Sequence, residues 1–272
     1  MKLLSKKSEN EEFRNINISE DIILDGINTL LMAGPCAAES RDQILRSADF
    51  MAELGIKVFR AGVFKPRTNP YAFQGAGAEG LKWLDEIRIQ YGFKIITEVR
   101  DMENFDEISD VTDIIQVGAK AMYNHALLKA AGKSDKPVLL KRHFAATVDE
   151  LLKMADFALL QGNKNVMLCE RGIRTFENSS RFTLDLCGAA VIQEQSLLPL
   201  IIDPSHAMGY NYGVSKLAMA SAAFGCDGLL IEVHPNPEEA LCDKDQALSH
   251  VEFKQLYVNL KEIAEISGRH LI

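Results

Sequence analysis

Leu200-Ile201-Ile202-Asp203-Pro204-Ser205-His206 is an apolar run that stops on an aspartate and a histidine, and Leu229-Leu230-Ile231-Glu232-Val233-His234 repeats the figure with a glutamate. Six earlier runs end alike, on Gly34-Pro35-Cys36, Arg60-Ala61-Gly62, Glu98-Val99-Arg100, Gly118-Ala119-Lys120, Lys141-Arg142 and Glu170-Arg171. The strands read at residues 29–33, 57–60, 93–99, 113–117, 137–141, 166–170, 198–202 and 228–233. Short, near-continuous stretches of Val, Ile and Leu are how strands covered on both faces read. In a closed parallel barrel all C-terminal strand ends open on one face, and barrel enzymes keep their chemistry there.

Helical periodicity fills the intervals. Residues 40–54 carry Ile44, Ala48, Met51 and Leu54 on one face, and 78–91 carry Leu81, Leu84, Ile87 and Tyr91. Residues 147–161 open with Thr147 and Glu150, a capping-box pair. Residues 214–224 and 253–266 keep the same period. The alternation predicts an α/β chain folded as a (β/α)8 TIM barrel over residues 27–272. No GxGxxG fingerprint supports a Rossmann sheet instead. Residues 1–26 lie outside the repeat: 16–24 reads as a strand, and Asp25-Gly26 as the turn into the first barrel strand. The expected result is a short N-terminal β-hairpin extension that closes the barrel bottom.

The 272 residues are 47% apolar and 25% charged, ordinary values for a globular chain. No apolar run is long enough to span a bilayer, and residues 1–10 lack the apolar core of a signal peptide. Five cysteines without framework spacing predict reduced thiols and a cytoplasmic setting. A net charge of −8 speaks against nucleic acid as partner. It also means that an anionic substrate needs a local cluster of cations.

Two groupings at the strand ends carry chemistry. Cys36, His206, Glu232 and the following-loop Asp243 fall on the first, seventh and eighth strands, which are neighbours in a closed barrel. Taken alone, Cys36 reads as a small buried hydrophobe and Asp243 as a solvated loop residue. Together they form a mixed sulfur, nitrogen and oxygen set suited to Mn²⁺, Fe²⁺, Co²⁺ or Zn²⁺. The second grouping is cationic: Arg60, Lys65 and Arg67 in Lys65-Pro66-Arg67-Thr68, Lys141, Arg142, Arg171 and Arg174. Such a face in an acidic protein predicts substrates with more than one phosphate or carboxylate. Glu98 and His143 are weaker candidates.

These motifs, with Pro70-Tyr71-Ala72-Phe73-Gln74-Gly75 and Cys169-Glu170-Arg171-Gly172, resemble 3-deoxy-7-phosphoheptulonate synthase of the type I beta group, whose close relatives are the 3-deoxy-8-phosphooctulonate synthases. The likeness runs from about Leu31 to Gln246. The Lys-Pro-Arg-Thr loop favours erythrose 4-phosphate over arabinose 5-phosphate as acceptor of phosphoenolpyruvate. The resemblance implies Cys36, His206, Glu232 and Asp243 as metal ligands. It implies Arg60, Lys65, Lys141 and Arg171 on phosphoenolpyruvate, Arg67 and Thr68 on the aldose phosphate, and Asp203 near the sugar hydroxyls. It further implies a homo-oligomer, tetramer or dimer. Lys120 stands where the family usually has Arg, and His143 where it usually has Gly. No attached regulatory domain is read in this sequence, so feedback through one is not expected. Lys65, set among cations, is expected to have a lowered pKa and to act as an acid. A Schiff-base aldolase using Lys141 and a non-catalytic sugar-phosphate-binding barrel are the competing readings.

Overall fold

The computed structural model describes residues 3–7, 15–65 and 69–272. A two-stranded antiparallel hairpin, β1 (Ile16–Ser19) and β2 (Ile22–Leu24), precedes the barrel. The barrel strands are β3 (Asn28–Gly34), β4 (Val58–Arg60), β5 (Lys94–Val99), β6 (Ile114–Val117), β7 (Val138–Lys141), β8 (Val166–Glu170), β9 (Leu200–Ile202) and β10 (Gly228–Glu232). All pair in parallel with their sequence neighbours, and β10 pairs with β3 to close the cylinder. A last short strand, β11 (His270–Leu271), joins the start of β3. Each strand lies within two residues of its sequence-predicted limits.

The period-two alternation of a strand sets what the barrel holds. Leu31, Phe59, Ile95, Ile115, Leu140, Leu168, Ile202 and Ile231 pack outward against the helices. Leu30, Met32, Val58, Ile96, Ile114, Leu139, Met167, Ile201 and Leu230 form an inner apolar layer, capped below by Ile16, Ile22 and Leu24 of the hairpin. One alternation further up, the inward positions become Arg60, Glu98, Gln116, Lys141, Cys169, Asp203 and Glu232. The barrel is thus apolar through its lower half and polar at its upper mouth. The strand expected over 16–24 is broken by a turn at Glu20-Asp21, where the Ser19 hydroxyl donates to Asp21 at 2.8 Å. The hairpin therefore lies within 16–24 and does not use the Asp25-Gly26 turn.

The helices are α1 (Arg41–Glu53), α2 (Ala78–Tyr91), α3 (Phe105–Val111), α4 (His125–Lys133), α5 (Val148–Leu159), α6 (Leu186–Gln195), α7 (Pro204–Met208), α8 (Asn211–Phe224) and α9 (His250–Ile266). Thr147 and Glu150 form the capping box of α5, and Ser249 and Glu252 form a second on α9. Among the described residues, no helix is long and apolar enough to cross a membrane.

His250, at the start of α9, stacks on Phe50 with ring centroids 3.9 Å apart. Burial, with the charges of Arg46 and His234, pushes its pKa from 6.5 down to about 4. The unfolded chain therefore takes up the proton first, and stability is lost as pH falls from 6.5 towards 4. A His250→Phe protein keeps the stacked ring without the titration. Thermal melts at pH 7.5 and pH 5 should show a smaller acid-side loss in the variant than in the parent; equal losses would contradict the assignment.

Candidate active site

The first ligand-type side chain is set by a close backbone approach. Gly34 ends β3 at φ +150°, and a Cβ there would meet the Arg60 carbonyl oxygen at 2.2 Å. Glycine lets the β3 and β4 ends converge. Arg60 then reaches across, its Nη1 donating to the Pro35 carbonyl at 2.8 Å and to Glu232 Oε1 at 2.9 Å. Cys36 follows, buried, with its Sγ 3.0 Å from Lys65 Nζ, 3.0 Å from Cys242 Sγ and 3.3 Å from Asp243 Oδ2.

His206 comes from α7, whose start is fixed by Asp203 as N-cap, accepting from the His206 N–H at 3.0 Å, and by Pro204 in the first turn. Asp203 Oδ2 also contacts His206 Nδ1 at 2.7 Å and accepts from Lys141 Nζ at 2.6 Å. That leaves His206 Nε2 facing Glu232 Oε1 at 3.5 Å and Asp243 Oδ2 at 4.0 Å. Burial lowers the His206 pKa against the pull of Asp203 and Glu232, which favours the neutral imidazole a metal needs. Burial opposes the ionisation of Asp203, but His206 and Lys141 hold its carboxyl well below the usual range.

Asp243 is the one described non-glycine residue at positive φ, 51°. This left-handed kink is the kind of strained backbone that clusters at working sites. Asp243 belongs to two sets of donor atoms that could hold a metal ion, one with Cys36 and Cys242 and one with His206 and Glu232. The structure thus brings Cys36, His206, Glu232 and Asp243 to one rim. Glu232 is buried and Asp243 half-buried, and two carboxylates, an imidazole nitrogen and a thiol gathered on one rim are donor types that suit a borderline divalent ion.

The cations divide into two groups. Lys65, Lys120, Lys141 and Arg171 line a cavity of about 370 Å³ at the mouth, together with Glu98, His206 and Asp243. Arg171 is buried, lies over the Phe182 ring at 4.4 Å and donates through Nη2 to the His206 carbonyl at 3.3 Å. Among the described residues its Nη1 has no hydrogen-bond partner. Arg142, by contrast, turns away from the cavity onto Glu170, Asp185 and the Ala146 carbonyl. Arg174 stacks on Phe144. Arg67 and Thr68 lie outside the described residues.

Lys65 departs from expectation. Burial alone would lower its pKa, but Cys36, Cys242 and Glu232 outweigh that and raise it. Its direct contacts are the Cys36 carbonyl at 3.1 Å and thiol at 3.0 Å, and the thiols and Glu232 decide the direction of the shift, not the cations its sequence context suggested.

Several mouth residues were not singled out from sequence: Cys242, Gln246, Arg181 and the stacked pair Phe144 and Phe182, whose centroids are 5.1 Å apart. Cys242 carried a signal in its adjacency to Asp243. The others sit in loops whose residue types alone mark nothing.

Residues 12–268 match the model of the DAHP synthetase I family. The chain is 42% identical over 267 residues to phospho-2-dehydro-3-deoxyheptonate aldolase of Thermotoga maritima, covering 98% of this chain and 78% of that protein. It is 34% identical over 257 residues to 2-dehydro-3-deoxyphosphooctonate aldolase of Syntrophotalea carbinolica, covering 88% and 90%. The fold superposes on the Thermotoga maritima DAHP synthase crystal structure with a TM-score of 0.96 at 40% identity, over 99% of this chain and 79% of that one. A truncated form of the Thermotoga maritima synthase gives 0.89 at 38% identity, over 96% and 95%.

Proposed function

The chain belongs to the DAHP synthetase I family, and on that premise we propose that it condenses phosphoenolpyruvate with erythrose 4-phosphate. C3 of phosphoenolpyruvate bonds to the aldehyde carbon, water adds at C2, and inorganic phosphate leaves by C–O cleavage to give the 3-deoxy-7-phosphoheptulonate. The observation that carries this reading is the mouth itself, where Lys65, Lys120, Lys141 and Arg171 share one cavity with His206 and Asp243.

Cys36, His206, Glu232 and Asp243 would hold the divalent ion, of the Mn²⁺, Fe²⁺, Co²⁺ or Zn²⁺ group. When bound, that ion supplies Lewis-acid polarisation of an aldehyde oxygen. The protein's own groups do the rest. Arg171, whose buried Nη1 has no partner among the described residues, Arg60, Lys141 and Lys65 hold the carboxylate and phosphate of phosphoenolpyruvate in register, which contributes chiefly orientation. Arg67 and Thr68 take the aldose phosphate, and Asp203 the sugar hydroxyls. Lys65 keeps its proton on Nζ, 3.0 Å from Cys36 Sγ, as a charged donor to oxygen that gains negative charge. Lys141 is held by Asp203 at 2.6 Å, which suits an ion-pairing lysine better than an imine-forming one.

This is the entry reaction of aromatic amino-acid biosynthesis through the shikimate route, and the reading includes a cytoplasmic homo-oligomer, tetramer or dimer. Phosphate release measured in parallel with erythrose 4-phosphate and arabinose 5-phosphate, with and without chelator, tests it. Turnover with erythrose 4-phosphate that stops on chelation and returns with Mn²⁺ is the expected result. Preference for arabinose 5-phosphate would move the chain to the octulonate branch, and chelator-insensitive turnover would remove the metal from the scheme.

A further inference from the structure

Gln246 sits in the loop between β10 and α9 and is 2% exposed. Its backbone N–H donates to the Asp243 carbonyl at 3.1 Å, which ties it to the strained residue of the rim. Its side chain makes two opposed contacts. Nε2 donates to Glu232 Oε2 at 2.6 Å, and Oε1 accepts from Arg181 Nη1 at 2.8 Å. Glu232 Oε1 is meanwhile held by Arg60 at 2.9 Å, so both carboxylate oxygens of Glu232 have fixed donors. Arg181 lies on the loop between β8 and α6, lines the mouth cavity and is partly exposed there, with Asp243 Oδ1 3.8 Å from its guanidinium.

A carboxamide suits this place because it donates on one side and accepts on the other. A glutamate at 246 would set a second carboxylate against Glu232. A lysine would have nothing to accept with from Arg181. We infer that Gln246 is a positioning residue that links the cavity-facing Arg181 to the Glu232 carboxylate, so that a substrate anion drawn to Arg181 is coupled to the orientation of a cation ligand. The link acts through Glu232 and touches neither substrate nor cation. It rests on the divalent-cation reading proposed above.

Partners that orient a metal ligand typically contribute about 10–100-fold in affinity. The test is Mn²⁺ binding to metal-stripped protein, followed by the electron paramagnetic resonance signal of free Mn²⁺. It uses the parent, Gln246→Met, Arg181→Met and the double variant. Methionine keeps the unbranched volume while removing both hydrogen bonds. Gln246→Met should weaken Mn²⁺ binding about 10-fold or more while its melting temperature stays near that of the parent. Its effect should not add to that of Arg181→Met in the double-mutant cycle. Addition of inorganic phosphate should tighten Mn²⁺ binding in the parent and leave Gln246→Met unmoved. Unchanged Mn²⁺ affinity in Gln246→Met, with or without a lowered melting temperature, would make Gln246 a packing residue and overturn the inference. A parent protein that binds no Mn²⁺ at all would instead remove the cation reading on which it stands.

Discussion

The His206→Ala protein is expected to release phosphate from phosphoenolpyruvate and erythrose 4-phosphate about 10³-fold more slowly than the parent, a loss of ~4 kcal/mol in transition-state stabilisation. The reason is local. His206 Nε2 is the only nitrogen in the set with Glu232 and Asp243, and its removal leaves only the two carboxylates of that set. Asp203 loses its contact with the ring but keeps Lys141 at 2.6 Å, so the phosphoenolpyruvate side should change little. The expected pattern is a fall in kcat and in bound metal, with KM for phosphoenolpyruvate nearly constant. Loss of phosphoenolpyruvate absorbance gives the rate, and elemental analysis gives the metal. Cys36→Ser should follow the same direction. Full turnover and full metal content in either variant would show that the set does not hold the ion.

The sequence disclosed this gathering of side chains because the barrel converts strand ends into a location. Cys36, His206, Glu232 and Asp243 are far apart in the chain, and no spacing rule joins them. Period-two alternation and closure of β10 on β3 do. The strand limits were legible because a strand with both faces covered shows as an unbroken apolar run. The helices α1, α2, α5, α8 and α9 were legible from their apolar faces and, for α5, its capping box. Those not read from periodicity, α3, α4, α6 and α7, are ten residues or shorter. Over so few turns an amphipathic period barely repeats. What the sequence hid is what side chains decide in three dimensions. Lys65 looked like a cation among cations, yet its ammonium rests on Cys36. Arg142 looked like a substrate contact beside Lys141, but strand neighbours point to opposite faces. Gln246 lies in a loop, where a glutamine is ordinarily solvated.

Arg142→Met should produce the largest loss of stability, ~3–5 kcal/mol, lowering the melting temperature by about 10 °C for a chain of this size. Glu170 is fully buried, and burial raises its pKa against the opposing pull of Arg142. Arg142 Nη1 donates to Glu170 Oε2 at 2.9 Å and to Asp185 Oδ2 at 2.8 Å, while Glu170 Oε1 accepts from the Gly172 N–H at 2.6 Å. Methionine fills the volume but leaves Glu170 in the interior without its ion partner, so that the folded state resists its ionisation. The sign with pH follows. Below the ordinary glutamate value of 4.5 the group is protonated folded or unfolded, and the penalty vanishes; as pH rises through that value, only the unfolded chain releases the proton freely, and the penalty grows. The gap between parent and Arg142→Met should therefore be wide at pH 7.5 and narrow near pH 4.5. Adding Glu170→Gln to Arg142→Met removes the buried charge and should return part of the lost stability at pH 7.5. The same clamp holds the turn that presents Arg171, so Arg142→Met should also raise KM for phosphoenolpyruvate at temperatures where the variant is folded. A variant melting within 2 °C of the parent at pH 7.5, with no pH dependence in the difference, would mean that Glu170 finds another partner and that Arg142 is dispensable to the rim.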